Sequence, residues 1–159
     1  MQNSRNSTIT FINGRRMSWL KAQKRGVWGL PSSRGRYSEA RAELQELGFG
    51  SASRFIACAG PVALFEAVVD GPIFYDDSYV FEGSGPREPY AVRFRFTSIR
   101  WIGMPWCPER TMDGRSWRLW VEDVFLRRRS VYRLRRSALS NPEIASRLET
   151  INLLNKQVA

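Results

Sequence analysis

The chain has 159 residues, enough for one domain with a hydrophobic core that needs no metal or disulfide. It carries 25 Lys and Arg against 15 Asp and Glu, and 43% of its residues are hydrophobic, so the net charge of +10 belongs to a folded body and not to a disordered tail. The absence of histidine excludes Ser-His-Asp, Cys-His and HNH catalysis and most zinc sites. A basic fold of this kind suits a polyanionic partner.

The two cysteines, Cys58 and Cys107, form no CxxC pair. They favour free thiols in a reducing compartment over a single disulfide. The N-terminus has no apolar signal segment, and no stretch approaches the roughly 18 apolar residues of a membrane span. We therefore expect a soluble, cytoplasmic protein that holds no metal or cofactor and contacts no membrane.

The N-terminal third predicts a strand followed by a basic helix. Residues 1–7 are polar and predict a flexible N-terminus. Thr8 to Ile12 alternate apolar with β-branched residues and predict a short strand, after which Asn13-Gly14 turns the chain. Arg15 to Arg25 predict a basic helix, which Gly26 closes as a C-cap.

The next segment, Gly26 to Pro31, places Trp28 between glycines and ends in proline. This pattern predicts a strand end or a loop that exposes the indole. Tyr37 to Leu47 then carry apolar residues at intervals of three and four, which predicts a second amphipathic helix ending at Gly48.

Three segments rich in Phe, Val and Ile predict paired strands, with Gly-Pro corners between them. The strands are Arg54 to Ala59, Ala63 to Asp70 and Tyr90 to Ile102, and the corners are Gly60-Pro61 and Gly71-Pro72.

The last of these strands alternates strictly. Val92, Phe94 and Phe96 fall on one face, and Arg93 and Arg95 fall on the other. The alternation predicts a barrel wall with a basic outer face.

The C-terminal third is less uniform. Ser116 to Tyr132 fit a helix or a last strand, and a helix through the middle is favoured. The arginine-rich run Arg127 to Arg136 follows. Asn141-Pro142-Glu143 then predicts the start of a terminal helix. Its core-facing positions are Ile144, Leu148, Ile151 and Leu154.

Several segments in the first two thirds resemble the EVE domain and its YTH relatives in the PUA-like superfamily. The resemblance covers residues 8 to 102 and agrees in order and spacing. The segments that carry it are Thr10 to Asn13, Arg25 to Pro31 (RGVWGLP), Ala63 to Val68, Phe74 to Asp77 and Glu88 to Arg93.

The resemblance implies an α+β fold, a PUA-like small β-barrel of about five to six strands with flanking helices and a C-terminal helix. We expect a flexible N-terminus at residues 1–7 and a nucleic-acid-binding domain at residues 8–136. Residues 137–159 are expected to form a C-terminal helix that packs on the domain or binds a partner protein.

The resemblance also implies a pocket for a base. Trp28 matches the tryptophan that forms one wall of an aromatic cage in relatives, and Asn13 matches a polar position that contacts the base edge. The second wall is open among Phe74, Tyr75, Tyr79, Phe81 and Trp101. The base-binding candidates are Asn13, Trp28, Gly29, Leu30, Phe74, Tyr75, Asp76, Phe81 and Trp101.

An aromatic pocket suits any nucleobase, because each base has a π-face whose stacking is worth about 1 to 3 kcal/mol. Arginine's planar fork suits the phosphates around such a pocket. The phosphate-binding candidates are Arg15, Arg16, Lys21, Arg25, Arg34, Arg36, Arg127, Arg128 and Arg129.

The predicted function is a non-catalytic reader of DNA or RNA that inserts a base, expected to be methylated, beside Trp28. One alternative is a targeting module of a restriction, defence or RNA-modification assembly, with a protein partner on the C-terminal helix. Another is a metal-dependent nuclease with carboxylates binding Mg²⁺. Its candidate carboxylates are Asp76, Asp77, Glu82 and Glu88.

Overall fold

The computed structural model describes residues 9–32, 34–76, 91–106, 119–125 and 130–151. Within these ranges seven strands form one sheet and three α-helices pack on it. The strands are β1 (Thr10–Asn13), β2 (Val27–Leu30), β3 (Arg54–Ala59), β4 (Val62–Tyr75), β5 (Val92–Pro105), β6 (Val121–Asp123) and β7 (Val131–Leu134). The helices are α1 (Arg16–Arg25), α2 (Tyr37–Glu46) and α3 (Pro142–Thr150), with short 3-10 turns at Arg34–Arg36 and Arg136–Ser140.

The sheet has the strand order β2-β5-β4-β3-β1-β7-β6 and is curled into a half-barrel. β1 runs parallel to β3, and the other described neighbours are antiparallel. The predicted α+β class with flanking helices and a C-terminal helix is confirmed. The described sheet has seven strands where five to six were expected, because β6 arises in the segment for which a helix was favoured and β7 in the arginine-rich run.

The helix favoured for Ser116 to Tyr132 is wrong in its middle. Residues 119 and 120 are helical, but Val121 starts β6 and pairs with Leu134 of β7. β7 in turn pairs with β1, where Phe11 lies opposite Tyr132. This long-range pairing outweighs the local helical spacing, because β-branched and aromatic residues pack well on a half-buried sheet.

Strands β4 and β5 form a long hairpin of 14 residues each. The predicted corner at Gly60-Pro61 is confirmed by a turn in which Gly60 has a φ of 61°. The corner predicted at Gly71-Pro72 is wrong, because β4 continues through it with a register shift between Asp70 and Phe74. A bulge leaves a residue outside the ladder, so proline's missing N–H is tolerated there.

The two faces of the sheet cover two hydrophobic cores. The first core lies under α1 and α2, and the second lies under α3. Neighbouring residues of one strand alternate between them: Phe55 and Ala57 belong to the first core, and Ile56 and Cys58 to the second. The first core is rich in aromatic rings, namely Trp19, Trp28, Phe49, Phe55, Phe65, Phe94, Phe96 and Phe125.

Strand β5 shows where the predicted basic outer face holds and where it does not. Val92, Phe94 and Phe96 are buried in the first core, as predicted. Arg95 is exposed, but Arg93 is only 1% exposed and lies 3.6 Å from the Asp76 carboxylate. The prediction is therefore wrong at Arg93, because an ion pair allows this guanidinium to be buried.

The three predicted helices are confirmed close to their expected bounds. Gly26 ends α1 with a φ of 72°, the left-handed conformation expected of a glycine C-cap. Asn141 caps the N-terminus of α3, and Pro142 lies in the first turn of the helix. Ile144, Leu148 and Ile151 are buried in the second core, whereas Leu154 lies outside the described residues. No helix in the described ranges has the length and apolar character needed to cross a membrane.

Candidate nucleic-acid interface

Helix α1 presents cations to solvent and almost nothing else that is charged. Its ten residues, RMSWLKAQKR, include no acidic side chain. Only Trp19 and Ala22 are buried. The cations on and next to the helix are the exposed Arg15, Arg16, Lys24 and Arg25 and the half-buried Lys21. The charged side chains of α1 and its N-cap are therefore all positive.

Trp19 anchors this helix by stacking on Trp28. The two ring centroids are 3.5 Å apart and the ring planes differ by 10°. Trp19 is fully buried and Trp28 is 6% exposed. The expectation that this segment exposes the indole is wrong, because β2 pairs Trp28 with Phe94 and turns both side chains into the first core.

The turn between β1 and α1 lies against the edge of the stacked indoles. A Cβ atom at Gly14 would lie 2.5 Å from Cη2 of Trp28 and 2.9 Å from Nε1 of Trp19. The carbonyl of Cys58 accepts the Gly14 N–H at 2.9 Å and the Trp19 indole N–H at 3.2 Å. One backbone oxygen therefore fixes both the turn and the helix anchor.

Asn13 is positioned beside this turn. Its Oδ1 accepts the Gly60 N–H at 2.9 Å, and its own backbone N–H donates to Ser130 at 2.8 Å. Of the predicted base-binding residues, Asn13 directly precedes Gly14 in this turn, and the ring of Trp28 lies close to the Gly14 backbone.

The remaining described candidates on β2 and β4 lie in two neighbouring rows at one end of the sheet, on either side of β5. Gly29 aligns with Arg93 and Phe74, and the next row aligns Leu30 with Val92 and Tyr75. Since neighbouring strands are about 4.8 Å apart, β2 and β4 residues of one row are about 10 Å apart.

Each side chain at the end of β4 has an identifiable partner. The ring of Tyr75 meets Tyr37 of α2 edge to face at 5.4 Å. Asp76 faces the buried Arg93. Phe74 lies beneath the guanidinium of Arg95, whose Cζ is 5.2 Å from the ring centroid.

Trp101 lies near the other end of β5 and is 51% exposed. Its ring meets Phe65 at 5.0 Å, and Phe65 meets Trp19 at 5.4 Å. Phe65 thus connects the exposed indole of Trp101 to the stacked pair. Trp101 is not brought next to Phe74 and Tyr75, which pair with the opposite end of β5.

The remaining phosphate-binding candidates do not belong to α1. Arg36 is exposed and lies 3.5 Å from Glu39. Arg34 lies in the 3-10 turn, and its side chain is outside the described part of the chain. Phe81, Tyr79, Arg127, Arg128 and Arg129 also lie outside the described residues, as do the carboxylates Asp77, Glu82 and Glu88.

Two features of this region were missed by sequence reasoning. Gly14 was seen only as a turn residue, and its contact with Trp28 becomes visible only once α1 packs on the sheet. Arg95 was not included among the ligand-binding residues, because its neighbours Val27 and Phe74 depend on strand register. Among the described residues, no group of three or more Cys, Asp or Glu is placed to hold a metal ion.

No protein-family model and no curated protein matches the chain. Among solved structures it is similar to the MmI1 YTH domain, with 15% identity, a TM-score of 0.44, and coverage of 96% of this chain and 98% of that one. It is also similar to the Mmi1 YTH domain in complex with RNA, with 16% identity, a TM-score of 0.45, and coverage of 95% of this chain and 79% of that one. At such low scores neither likeness bears on what this chain does, which is inferred below from its own residues.

Proposed function

We propose that this protein binds nucleic acid, holding phosphates with the cations of α1 and inserting one base, preferentially methylated, beside Trp28. The observation that carries the proposal is the composition of α1 itself. The helix and its N-cap, Arg15, present four exposed cations and no acid to solvent, while Trp19 on the buried side of the helix stacks directly on Trp28. The phosphate contacts would thus come from α1, and the base contact from Trp28, the residue on which α1 is anchored.

The cations of α1 are spaced to follow a backbone. Arg15 and Arg16 lie at the start of the helix, and Lys24 and Arg25 lie in its last turn. A helix of ten residues is about 15 Å long, so the two pairs can engage different phosphates of one strand. Each phosphate neutralised on a single strand contributes about −0.7 to the slope of log K against log salt concentration.

Inserting a base beside Trp28 has a free-energy cost, because the space is already occupied by Trp19. Trp19 already lies at stacking distance from Trp28, so the base in this proposal takes the place of Trp19. Exposing a buried tryptophan gives up packing worth about 3 to 5 kcal/mol, and base stacking returns about 1 to 3 kcal/mol. The phosphate contacts therefore supply most of the affinity, and a base methyl group adds about fourfold, equivalent to roughly 0.8 kcal/mol.

The test is binding of fluorescent DNA and RNA, single-stranded and duplex, with and without N6-methyladenine or 5-methylcytosine, at two salt concentrations. The double variant Arg15→Ala with Arg16→Ala should lower the salt slope by about 1.4, the contribution of two phosphates. The matched control replaces two exposed arginines on other elements, Arg41 and Arg54, and should leave the slope unchanged.

The base pocket is tested separately with Trp28→Phe, which keeps an aromatic ring in the core. This variant should lose the preference for the methylated base and keep the salt-dependent affinity. Bound methylated oligonucleotide should also change the intrinsic tryptophan fluorescence, because Trp19 leaves the stack. Binding that is absent, or equal in the α1 variant and wild type, would overturn the proposal.

A further inference from the structure

Arg95 lies on β5, next to the edge strand β2 that follows α1. Residues paired directly across neighbouring strands project from the same side, and one such row contains Val27, Arg95 and Asp70. Val27 follows Gly26, whose carbonyl accepts the Phe96 N–H at 3.0 Å. The backbone of β5 at Arg95 therefore lies near the end of α1 that carries Lys24 and Arg25. The Arg95 side chain projects from the opposite face of the sheet, because its neighbours Phe94 and Phe96 face the core under α1.

Arg95 differs from the neighbouring arginine on the same side of β5. Arg93 is buried and ion-paired with Asp76, so it has a structural role. Arg95 is exposed, and its guanidinium lies over the half-buried ring of Phe74 at 5.2 Å. Contact with an aromatic ring orients a guanidinium and restricts its motion, so less freedom is lost when a ligand binds.

We propose that Arg95, supported by Phe74, forms a second nucleotide subsite in which the guanidinium stacks on a base of the strand held by α1. This inference rests on the proposed function and adds a position to it. Charge complementarity favours a nucleic acid here, because Arg95 is an exposed cation one edge strand away from the cations of α1, on a chain with a net charge of +10. Asp70 is the cross-strand partner of Arg95, and an acidic residue beside the site favours stacking on a base over a simple phosphate contact.

The experiment compares Arg95→Ala, Arg95→Lys and the control Arg41→Ala on single-stranded oligonucleotides of about 4 and about 12 nucleotides. Arg95→Ala should weaken binding of the longer strand about fivefold or more and leave the shorter strand almost unaffected, because only the longer one reaches both α1 and Arg95. Arg95→Lys should keep the salt slope of wild type but show most of the loss in affinity, because lysine retains the charge and lacks the planar group.

Thermal melts of the free proteins should show that the three substitutions leave the fold intact, because both positions are exposed. Equal affinity of Arg95→Ala and wild type for the longer strand, with a loss in the α1 double variant, would overturn the subsite and leave the proposed function standing. Full recovery in Arg95→Lys would overturn the stacking contact. Absence of binding by wild type would overturn both.

Discussion

Helices α1 and α3 are of similar length but differ in how their N-termini are capped and charged. In α3, the Asn141 side chain accepts the N–H groups of Glu143 and Ile144, Pro142 occupies the first turn, and a basic residue, Arg147, lies in the last turn. These features satisfy the free N–H groups and complement the helix dipole. The sequence of α3 is therefore that of a helix selected for stability.

Helix α1 lacks these features at its N-terminus. Arg15 at its N-cap makes no side-chain cap hydrogen bond, and Arg16 adds a second positive charge at the positive end of the dipole. Each such charge costs about 0.3 to 1 kcal/mol. Local rules that a fold breaks are expected at functional positions, so the comparison favours α1 as the binding helix and α3 as a packing helix.

The largest expected effect tests how α1 is anchored. Trp19→Ala removes a fully buried indole that contacts the ring of Trp28 and the rings of three described phenylalanines, Phe55, Phe65 and Phe96. It should lower the free energy of unfolding by about 3 to 5 kcal/mol. The control Met17→Ala, on the same helix, removes a side chain that is 63% exposed. It should change the free energy of unfolding by less than about 0.5 kcal/mol. Urea denaturation measures both, and similar values for the two variants would show that Trp19 is not the anchor.

A second substitution tests the turn that precedes α1. Gly14→Ala places a methyl group 2.5 Å from the Trp28 ring and should destabilise the protein by about 1 to 3 kcal/mol through overpacking. Gly50→Ala is the matched control, because a methyl group there has no atom within 4 Å. A Gly14→Ala variant as stable as the Gly50→Ala variant would contradict the close contact with the stacked indoles.

The caps of the two helices provide the third test. Asn141→Ala should lower the free energy of unfolding by about 1 kcal/mol, because two N–H groups of α3 lose their acceptor. Arg15→Ala should leave stability unchanged or raise it by a few tenths of a kcal/mol, and should weaken nucleic-acid binding. Denaturation and binding are measured on both variants, and a loss of stability in Arg15→Ala would remove the contrast between the helices.

The smallest effect at neutral pH concerns Cys58, whose thiol lies in the second core under α3. Burial raises the pKa of this thiol above its ordinary value of 9.0. The unfolded chain therefore loses the proton first, so the stability due to the neutral thiol is complete below about pH 9 and declines above it. Wild type should lose more stability than Cys58→Ala between neutral and alkaline pH, and equal losses would contradict the burial of the thiol.

Cys58 also reports on the packing of α3. A thiol reagent should modify it only at the rate of unfolding, because the thiol is buried and its Sγ lies 3.5 Å from the Ile12 carbonyl oxygen. Leu148→Ala, which weakens the packing of α3, should accelerate modification. Unchanged rates in this variant would show that α3 does not shield the thiol.

Local patterns in the sequence predicted the elements whose contacts lie close along the chain. Helix α1 ends at Gly26, and α3 starts at Asn141, because glycine and asparagine fix those ends through their own conformations and hydrogen bonds. Two further predictions from local patterns are confirmed. Cys58 is a free thiol, and the side chain of Phe94 is buried on the inward face of β5.

The features that were predicted wrongly depend on partners far along the chain. Val121 joins a strand because β7 pairs with β1, and Arg93 is buried because Asp76 lies beside it. Trp28 was expected at the surface because its flanking glycines indicate a loop. Its stacking on Trp19 follows from the packing of α1 on the sheet, which periodicity does not specify.

Strand β1 has a consequence for the order in which this protein folds. It lies between β3 and β7, so Thr10 pairs with Arg133 although the two are more than a hundred residues apart along the chain. Such non-local pairing slows folding, because the entropy of closing the loop is lost before the contact compensates for it. During synthesis β1 therefore leaves the ribosome before β7 and lacks this neighbour until β7 emerges. Until then its hydrogen-bonding edge is open to other chains, which makes this interval the time of greatest risk of aggregation.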